Sequence, residues 1–206
     1  MRLDRRSAMP FRARLFSLLP LLAAACSTPA PLGSVPTELI DLYDRGTPTG
    51  ILEVEVNRDG TVREMEVEIA VADLPTPIRE AALAAERGAT VTGAERELTL
   101  DGPAWEVQLL QEGRKVELVL SEDGRILEIE RELRRDEAPR SILAAADAAI
   151  PGGTFQSVEI LHKGRSTEYH VKKERAGARF KVVVSTEGET LRVVREAKAE
   201  IEIPIQ

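Results

Sequence analysis

The stretch "SEDGRILEIE" at residues 121–130 has the form of a β-hairpin, and it determines how the rest of the chain is interpreted. Two related stretches, "NRDGTVREME" at 57–66 and "STEGETLRVV" at 185–194, carry the same pattern. Their turn glycines, Gly60, Gly124 and Gly188, stand 64 residues apart. Self-similarity at a fixed interval indicates an internal repeat, because each copy encodes the same supersecondary unit.

The similarity at this interval continues beyond the hairpins without a gap. Trp105 corresponds to Tyr169, and the apolar series 116, 118 and 120 corresponds to 180, 182 and 184. We therefore predict two full units, residues 74–137 and 138–206, preceded by a truncated repeat at 36–73. An alternative is that residues 35–46 are only linker and that the first hairpin pairs with the next unit.

Each full unit begins with a predicted helix, "PTPIREAALAAERG" or "SILAAADAAIPGG", because proline or serine stands near its start and glycine follows its end. Four strands follow in the first unit, at about 91–100, 104–111, 114–121 and 125–133. Apolar and polar residues alternate along them, which favours one buried and one hydrated sheet face. The predicted fold class is α+β: tandem repeats of one helix packed on a four-stranded antiparallel sheet.

The hairpin turn is predicted to set the strand register. Asp-Gly pairs favour two-residue type I′ turns. Such a turn at Asp123-Gly124 would place Leu118 opposite Ile129 and Leu120 opposite Leu127. The same register in the last hairpin would pair residue 182 with 193 and residue 184 with 191.

The N-terminus has the layout of an export signal. Five arginines within residues 1–14 precede the apolar run "LFSLLPLLAAAC", which ends at Cys26, the only cysteine. This arrangement resembles a bacterial lipoprotein signal. The resemblance implies cleavage after residue 25, lipidation of Cys26 and a linker at 26–35. Ser27, rather than aspartate, would direct the protein to the outer membrane, facing the periplasm.

The charge balance argues against one class of partner. Of the 206 residues 31% are charged, with a net charge of −7 at pH 7. Removal of residues 1–25 would take away five arginines and one aspartate and lower the net charge to −11. Nucleic acid binding requires basic surfaces, so we predict no nucleic acid partner.

The order of motifs resembles the PepSY-like domains of bacterial secreted and lipid-anchored proteins. A proline-led, alanine-rich helix, "IPGG", an aromatic strand "TEYHVKKE" and a hairpin at "EG" or "DG" carry the resemblance, over about residues 74–203. It implies a non-catalytic binding or inhibitory module. The predicted function is therefore a lipid-anchored cell-envelope module acting as inhibitor or chaperone of an unidentified envelope protein. The alternative is a structural lipoprotein or one that binds a small ligand or cation.

The sequence predicts no catalytic residue, cofactor or metal ligand. His162 and His170 are the only histidines, and the sequence around them shows no set of convergent ligands. Both are therefore predicted to lie at the surface, His170 on the hydrated sheet face. Trp105 and Tyr169 are predicted to be aromatic anchors beneath the helices, although a ligand-stacking pair is the alternative.

The first hairpin carries an unusual concentration of glutamates. The predicted register sets Glu55 opposite Glu64 and Glu53 opposite Glu66, all on the hydrated face. Directly opposed like charges are destabilising. A neighbouring arginine or lysine, a cation or a basic partner could offset the repulsion. An ordinary solvated face screened by salt is the simplest interpretation. The candidate site is a partner-binding face formed by Glu53, Glu55, Glu64 and Glu66. Calcium is disfavoured, because carboxylates along a strand rarely converge as those of a Ca²⁺ loop do.

Overall fold

The computed structural model describes residues 48–197, and within them the chain forms ten β-strands and two α-helices. The predicted signal at 1–25, Cys26, the linker at 26–35 and residues 36–47 of the truncated repeat lie outside the described residues. The strands are β1 (Pro48–Val56), β2 (Val62–Ile69), β3 (Thr90–Thr99), β4 (Gly102–Gln111), β5 (Arg114–Ser121), β6 (Ile126–Leu133), β7 (Thr154–Lys163), β8 (Ser166–Arg175), β9 (Ala178–Ser185) and β10 (Thr190–Arg195). The helices are α1 (Thr76–Ala85) and α2 (Arg140–Ala149), and a single 3-10 turn spans Val71–Asp73.

All ten strands belong to one antiparallel sheet in which every strand pairs with its neighbours in sequence. The prediction of separate units, each with its own four-stranded sheet, is therefore wrong. The strands β6 and β7 that should end one unit and begin the next are hydrogen-bonded partners, with Leu133 opposite Val158 and Arg131 opposite Ile160. Alternating polarity fixes the faces of each strand but not how many strands share a sheet.

The two helices lie where the sequence predicts them, and both pack on the same face of the sheet. Each follows a proline, Pro75 or Pro139, and buries an isoleucine and an alanine one turn apart. Around α1 the core is formed by residues 69, 74, 78, 82, 94, 107, 109, 116, 118 and 120, and around α2 by residues 138, 142, 146, 150, 158, 171, 182 and 184. Trp105 packs against the first cluster and Tyr169 against the second, so both aromatic anchors lie beneath helices.

The hairpins that contain Gly60, Gly124 and Gly188 share one turn geometry, but it is not the predicted type I′. In the second hairpin Ser121 N–H donates to the Arg125 carbonyl, and Gly124 N–H donates to the Ser121 carbonyl. Gly124 has a φ of +82°, whereas Asp123 is not among the residues of positive φ that a type I′ turn requires at both central positions. The loop thus has three residues, and its last glycine forms a bulge.

This bulge shifts the register after the turn. Leu118 pairs with Ile129 and Val182 with Val193, as predicted, but Leu120 pairs with Ile126 rather than Leu127. Two-residue turns with positive φ at both positions occur instead at Glu112–Gly113 and Ala176–Gly177.

The charged side chain of Lys173 lies deep inside the helix-covered core. Lys173 of β8 is 1% exposed. Its ammonium group donates to the Asp147 carboxylate of α2 and to the Ile150 carbonyl, 3.2 Å away, where the helix ends. A cation at a helix C-terminus is stabilised by the carbonyl groups that no helical N–H satisfies.

None of the helices in the described range is long and apolar enough to cross a membrane.

Candidate functional site

The sheet face opposite the helices is rolled inward. Oxygens of Glu55, on β1, lie 3.8 Å from Lys181 Nζ of β9 and 3.7 Å from an Arg192 nitrogen of β10. In a flat sheet, strands eight places apart would be separated by about 38 Å, given a spacing of ~4.8 Å between neighbours. The right-handed twist of strands, accumulated over ten of them, curls the sheet until its first and last strands meet.

The inner face of this roll carries a patch that we call the acidic patch. Its eight glutamates lie on β1 to β4: Glu53, Glu55, Glu64, Glu66, Glu68, Glu95, Glu97 and Glu106. The predicted pairs are present, with Glu55 opposite Glu64 and Glu53 opposite Glu66. The next strands continue the pattern, since Glu66 also pairs with Glu97 and Glu95 pairs with both Glu68 and Glu106.

The acidic patch is not the hydrated face that the sequence predicts. Glu53 is exposed, but Glu55, Glu64 and Glu66 are partly buried and Glu97 is only 3% exposed. Burial, together with the neighbouring carboxylates, raises the pKa of Glu66 to about 8 and that of Glu97 to about 9. The same causes raise the pKa of Glu95 to about 7. At neutral pH part of the patch therefore holds protons that an exposed carboxyl group would have lost.

Basic and amide groups compensate the edges of the patch. Glu55 accepts a hydrogen bond of 3.1 Å from Arg63 and also faces Lys181 and Arg192. The Gln108 amide donates to Glu95 at 2.7 Å and to Glu106 at 3.2 Å. Burial nonetheless raises the pKa of Glu106 well above its usual value, with the Glu117 carboxylate adding to the effect.

A second cluster, which we call the histidine cluster, lies further along the same face. His170 of β8 is 6% exposed, so its predicted place at the surface is wrong. Its Nδ1 lies 3.1 Å from a Glu130 oxygen, and its Nε2 lies 2.9 Å from a Glu168 oxygen. Burial alone would lower the pKa of His170, but hydrogen bonds to these two carboxylates outweigh it and raise the pKa to about 9. The ring is therefore a buried cation at neutral pH.

The histidine cluster also contains a carboxyl pair. The oxygens of Glu130 and Glu159 approach one another, and Lys172 Nζ lies 3.0 Å from Glu159 Oε1. Burial raises the pKa of Glu159 to about 7, and its contact with Glu130 adds to this. Burial would also raise the pKa of Glu130, but its hydrogen bonds with His170 and Glu159 hold that pKa at about 2. The two pKa values are thus far apart, and the cations His170 and Lys172 lie against the Glu130 and Glu159 carboxyl groups.

Sequence reasoning missed Glu95, Glu97 and Glu106 in the first cluster and the partners of His170 in the second. A signal for the former was available, since Glu95 and Glu97 occupy alternate positions of β3, the strand next to the first hairpin, and Glu106 lies opposite Glu95 on β4. The partners of His170 come from β6, β7 and β8, and their convergence depends on β6 pairing with β7. The pairing of β6 with β7 joins the two predicted units, and the prediction of two separate sheets excluded it.

Comparisons with known proteins give similarities of limited extent. No protein-family model and no curated protein matches the chain. Among solved structures, a putative periplasmic protein from Bacteroides eggerthii is 13% identical, with a TM-score of 0.48, over 59% of this chain and 88% of that one. A DUF2874 family protein from Bacteroides uniformis is 15% identical, with the same TM-score and coverage. A BLIP-like protein from Bacteroides fragilis is 20% identical, with a TM-score of 0.47, over 63% of this chain and 91% of that one. At these identities and TM-scores, none of the three assigns a family or a function to this chain.

Proposed function

We propose that the protein is a non-catalytic binding module of the bacterial cell envelope, held at the membrane by a lipid on Cys26 and facing the periplasm. Its partner in this proposal is another envelope protein with a basic surface, which it inhibits or holds as a chaperone. The resemblance of the N-terminus to a lipoprotein signal supports the anchor. The acidic patch supports a basic partner.

The observation that carries the proposal is the excess of carboxylates at the accessible edge of the acidic patch. Glu53 is exposed on β1, which is the first strand of the sheet and has a neighbour on one side only among the described strands. It stands opposite Glu66 and close to Glu95, so an approaching cationic side chain meets the charge of Glu53 beside two carboxyl groups that release protons more readily as a cation approaches. Complementary charge of this kind accelerates association and is weakened by salt.

Glu53 is the best position at which to test partner binding. Glu55 is held by Arg63, Lys181 and Arg192, so reversing its charge would disturb the roll as well as the surface. We expect Glu53→Lys to capture less partner from envelope fractions than the native chain at low salt, with the difference shrinking at high salt. Glu80→Lys is the matched control, because Glu80 is exposed on α1, which packs on the opposite face of the sheet. Equal capture by Glu53→Lys and the native chain at low salt would refute a role for this edge.

The anchor is tested separately. We expect Cys26→Ser to abolish palmitate labelling and to leave the protein unprocessed or in the soluble fraction, because thioether-linked lipid requires the cysteine sulfur. Two or more acyl chains are needed for stable anchoring, so loss of lipidation should be visible by fractionation alone. Undiminished labelling of the variant would show that Cys26 is not the lipidation site.

A further inference from the structure

Three carboxylates of the acidic patch come together on two neighbouring strands. Glu64 and Glu66 project from alternate positions of β2, and Glu97 of β3 stands directly opposite Glu66. One oxygen from each lies within 4.8 Å of an oxygen of the other two. The rolled sheet therefore brings together side chains that a flat, hydrated hairpin would leave apart.

One oxygen in this group lacks the partner that burial requires. Glu97 is only 3% exposed, and its Oε2 accepts no hydrogen bond from the described residues. Buried carboxylate oxygens are normally hydrogen-bonded or bound to a cation, because burial removes the water that would otherwise solvate their charge. The Glu64 and Glu66 carboxyl groups beside Glu97 offer no N–H donor, so a hydrogen bond from Glu64 to Glu97 requires a proton held between the two carboxyl groups.

Side chains of the described residues supply no cation to this group of three carboxyls. Within residues 48–197, no lysine or arginine nitrogen lies within 4.0 Å of the carboxylates of Glu64, Glu66 or Glu97. The two lysines whose charge reaches this region are engaged elsewhere, Lys163 with Glu128 and Lys181 with Glu55. Glu128 adds another negative charge from across the roll.

We propose that Glu64, Glu66 and Glu97 bind a divalent cation of the calcium class. All three donors are oxygens, which favours hard cations over zinc or copper. Calcium–oxygen bonds of about 2.3–2.6 Å place ligands on opposite sides of the ion roughly 4.8 Å apart, and adjacent ligands closer, which accommodates the observed spacing. Magnesium requires near-ideal octahedral geometry and usually keeps several of its waters, so a group of protein carboxylates suits it less well than calcium. A second group formed by Glu66, Glu95 and Glu106 provides further oxygens beside the site.

The histidine cluster is a poorer cation site, although it also contains three groups of the right kind. Both nitrogens of His170 are engaged by carboxylates, and Lys172 already neutralises Glu159. An added cation would have to displace existing positive charges there. At Glu64, Glu66 and Glu97 it would displace carboxyl protons but no lysine, arginine or histidine of the described residues.

The test is equilibrium dialysis of the full chain, freed of metal with a chelator, against radioactive calcium. We expect one saturable site per chain and a rise in the midpoint of thermal unfolding when calcium is added. Glu97→Gln keeps the size of the side chain, replaces one carboxylate oxygen with an NH₂ group and removes the charge of one ligand. It should weaken calcium binding by more than about tenfold, as loss of an important group at a metal site commonly does. Glu64→Gln provides a second variant with the same expectation.

Glu68→Gln is the matched control, because Glu68 lies on the same strand and the same face but outside the group of three. A site with defined ligands should retain its calcium affinity in this variant. General attraction of cations to the acidic patch would instead weaken equally in Glu68→Gln and Glu97→Gln, and that result would overturn the proposal. Absence of saturable calcium binding to the native chain would overturn it as well.

Discussion

Glu55 of β1 lies 3.7 Å from Arg192 of β10, although nine strand positions separate them in the sheet. Arg63 and Lys181 converge on the same carboxylate, which is only 16% exposed. The contact is thus both a consequence of the roll and one of the interactions that hold it. It gives the architecture a direct test in solution.

We expect a double-mutant cycle between Glu55→Gln and Arg192→Gln to show a coupling of about 0.5–1 kcal/mol in the free energy of unfolding, the scale of a partly exposed ion pair. The measurement is urea unfolding of the native chain, both single variants and the double variant. Glu55→Gln with Arg195→Gln is the control cycle, because Arg195 is exposed and lies on the other face of β10. Zero coupling in the first cycle would mean that β1 and β10 do not meet.

The charge on His170 should make stability depend on pH. Its pKa is raised from 6.5 to about 9 in the folded chain, so the folded state binds this proton more tightly than the unfolded state. By linkage, the resulting stabilisation is fully present below pH 6.5 and is lost as pH rises through about 9. Glu130, Glu168 and Lys181 are the charged groups that act on the ring, the two carboxylates raising its pKa and the lysine opposing them.

We therefore expect His170→Gln to lower the free energy of unfolding on the order of 2–3 kcal/mol more below pH 6.5 than above pH 9. Urea unfolding across this range measures the difference. Glu168→Gln removes one of the two partners and should shift the loss of stability to lower pH. A pH-independent difference between native and His170→Gln would show that the ring is not charged in the folded state.

Gly124 has a positive φ and also lies against α1. Comparison with Gly113 separates these two effects on stability. The backbone of Gly124 has a φ of +82°, and a Cβ atom added there would lie 3.6 Å from the Ala81 Cβ of α1. Gly113 has a similar φ of +80°, but no atom lies within 4 Å of its Cβ position. Gly124→Val and Gly113→Val thus share the backbone strain of about 1–2 kcal/mol. At Gly124 the Cβ itself makes an ordinary van der Waals contact with α1, and the two methyl groups of valine add atoms where the helix already lies.

We expect Gly124→Val to cost about 1 kcal/mol more than Gly113→Val in thermal or urea unfolding, because overpacking adds to the strain. Ala176→Gly should have the opposite effect and stabilise the chain slightly, since Ala176 already has a φ of +51°. Equal costs for the two valine variants would show that the turn at Gly124 does not support α1.

Local structure could be predicted from the sequence because local rules determine it. Alternating polarity located β3 to β6 within two residues of their observed ends, and proline and glycine located both helices. The turn type was wrong at Asp123–Gly124, because an Asp-Gly pair also suits a three-residue loop whose only positive φ is at the glycine. The hydrogen bond between Gly124 and Ser121 then decides the register, and the sequence does not specify it.

Local rules could not predict the candidate site, because its residues come together only through the pairing of strands distant in sequence and the curvature of the sheet. Glu66 and Glu97 lie on strands joined by 20 residues that contain α1, and only their pairing makes them neighbours. Burial of Glu97 depends on the roll, which is the sum of small twists over ten strands. His170 is a further example. The alternation along β8 correctly placed it on the face opposite the helices, but that face is buried at His170 and not hydrated.

Lys173 and Asp147 form an ion pair whose two members are buried to very different extents, so removing one or the other should change the free energy of unfolding by different amounts. The Lys173 ammonium is buried, whereas the Asp147 carboxylate is 63% exposed. Removing Asp147 leaves a buried cation with the Ile150 carbonyl as its remaining acceptor, which is costly. Removing the ammonium leaves a carboxylate that water solvates, and the Ile150 carbonyl keeps its hydrogen bond from Gly153 N–H at 3.1 Å.

We therefore expect Asp147→Ala to lower the free energy of unfolding by about 2 kcal/mol and Lys173→Met to change it by less than about 1 kcal/mol. Lys173→Ala separates charge from packing and should cost about 2–4 kcal/mol, because it also leaves a cavity beneath α2. In urea unfolding, the double variant Asp147→Ala with Lys173→Met should resemble Lys173→Met alone, since the cation that Asp147 neutralises is gone. A larger loss for Lys173→Met than for Asp147→Ala would mean that the ammonium is hydrated, and that the end of α2 does not cover it.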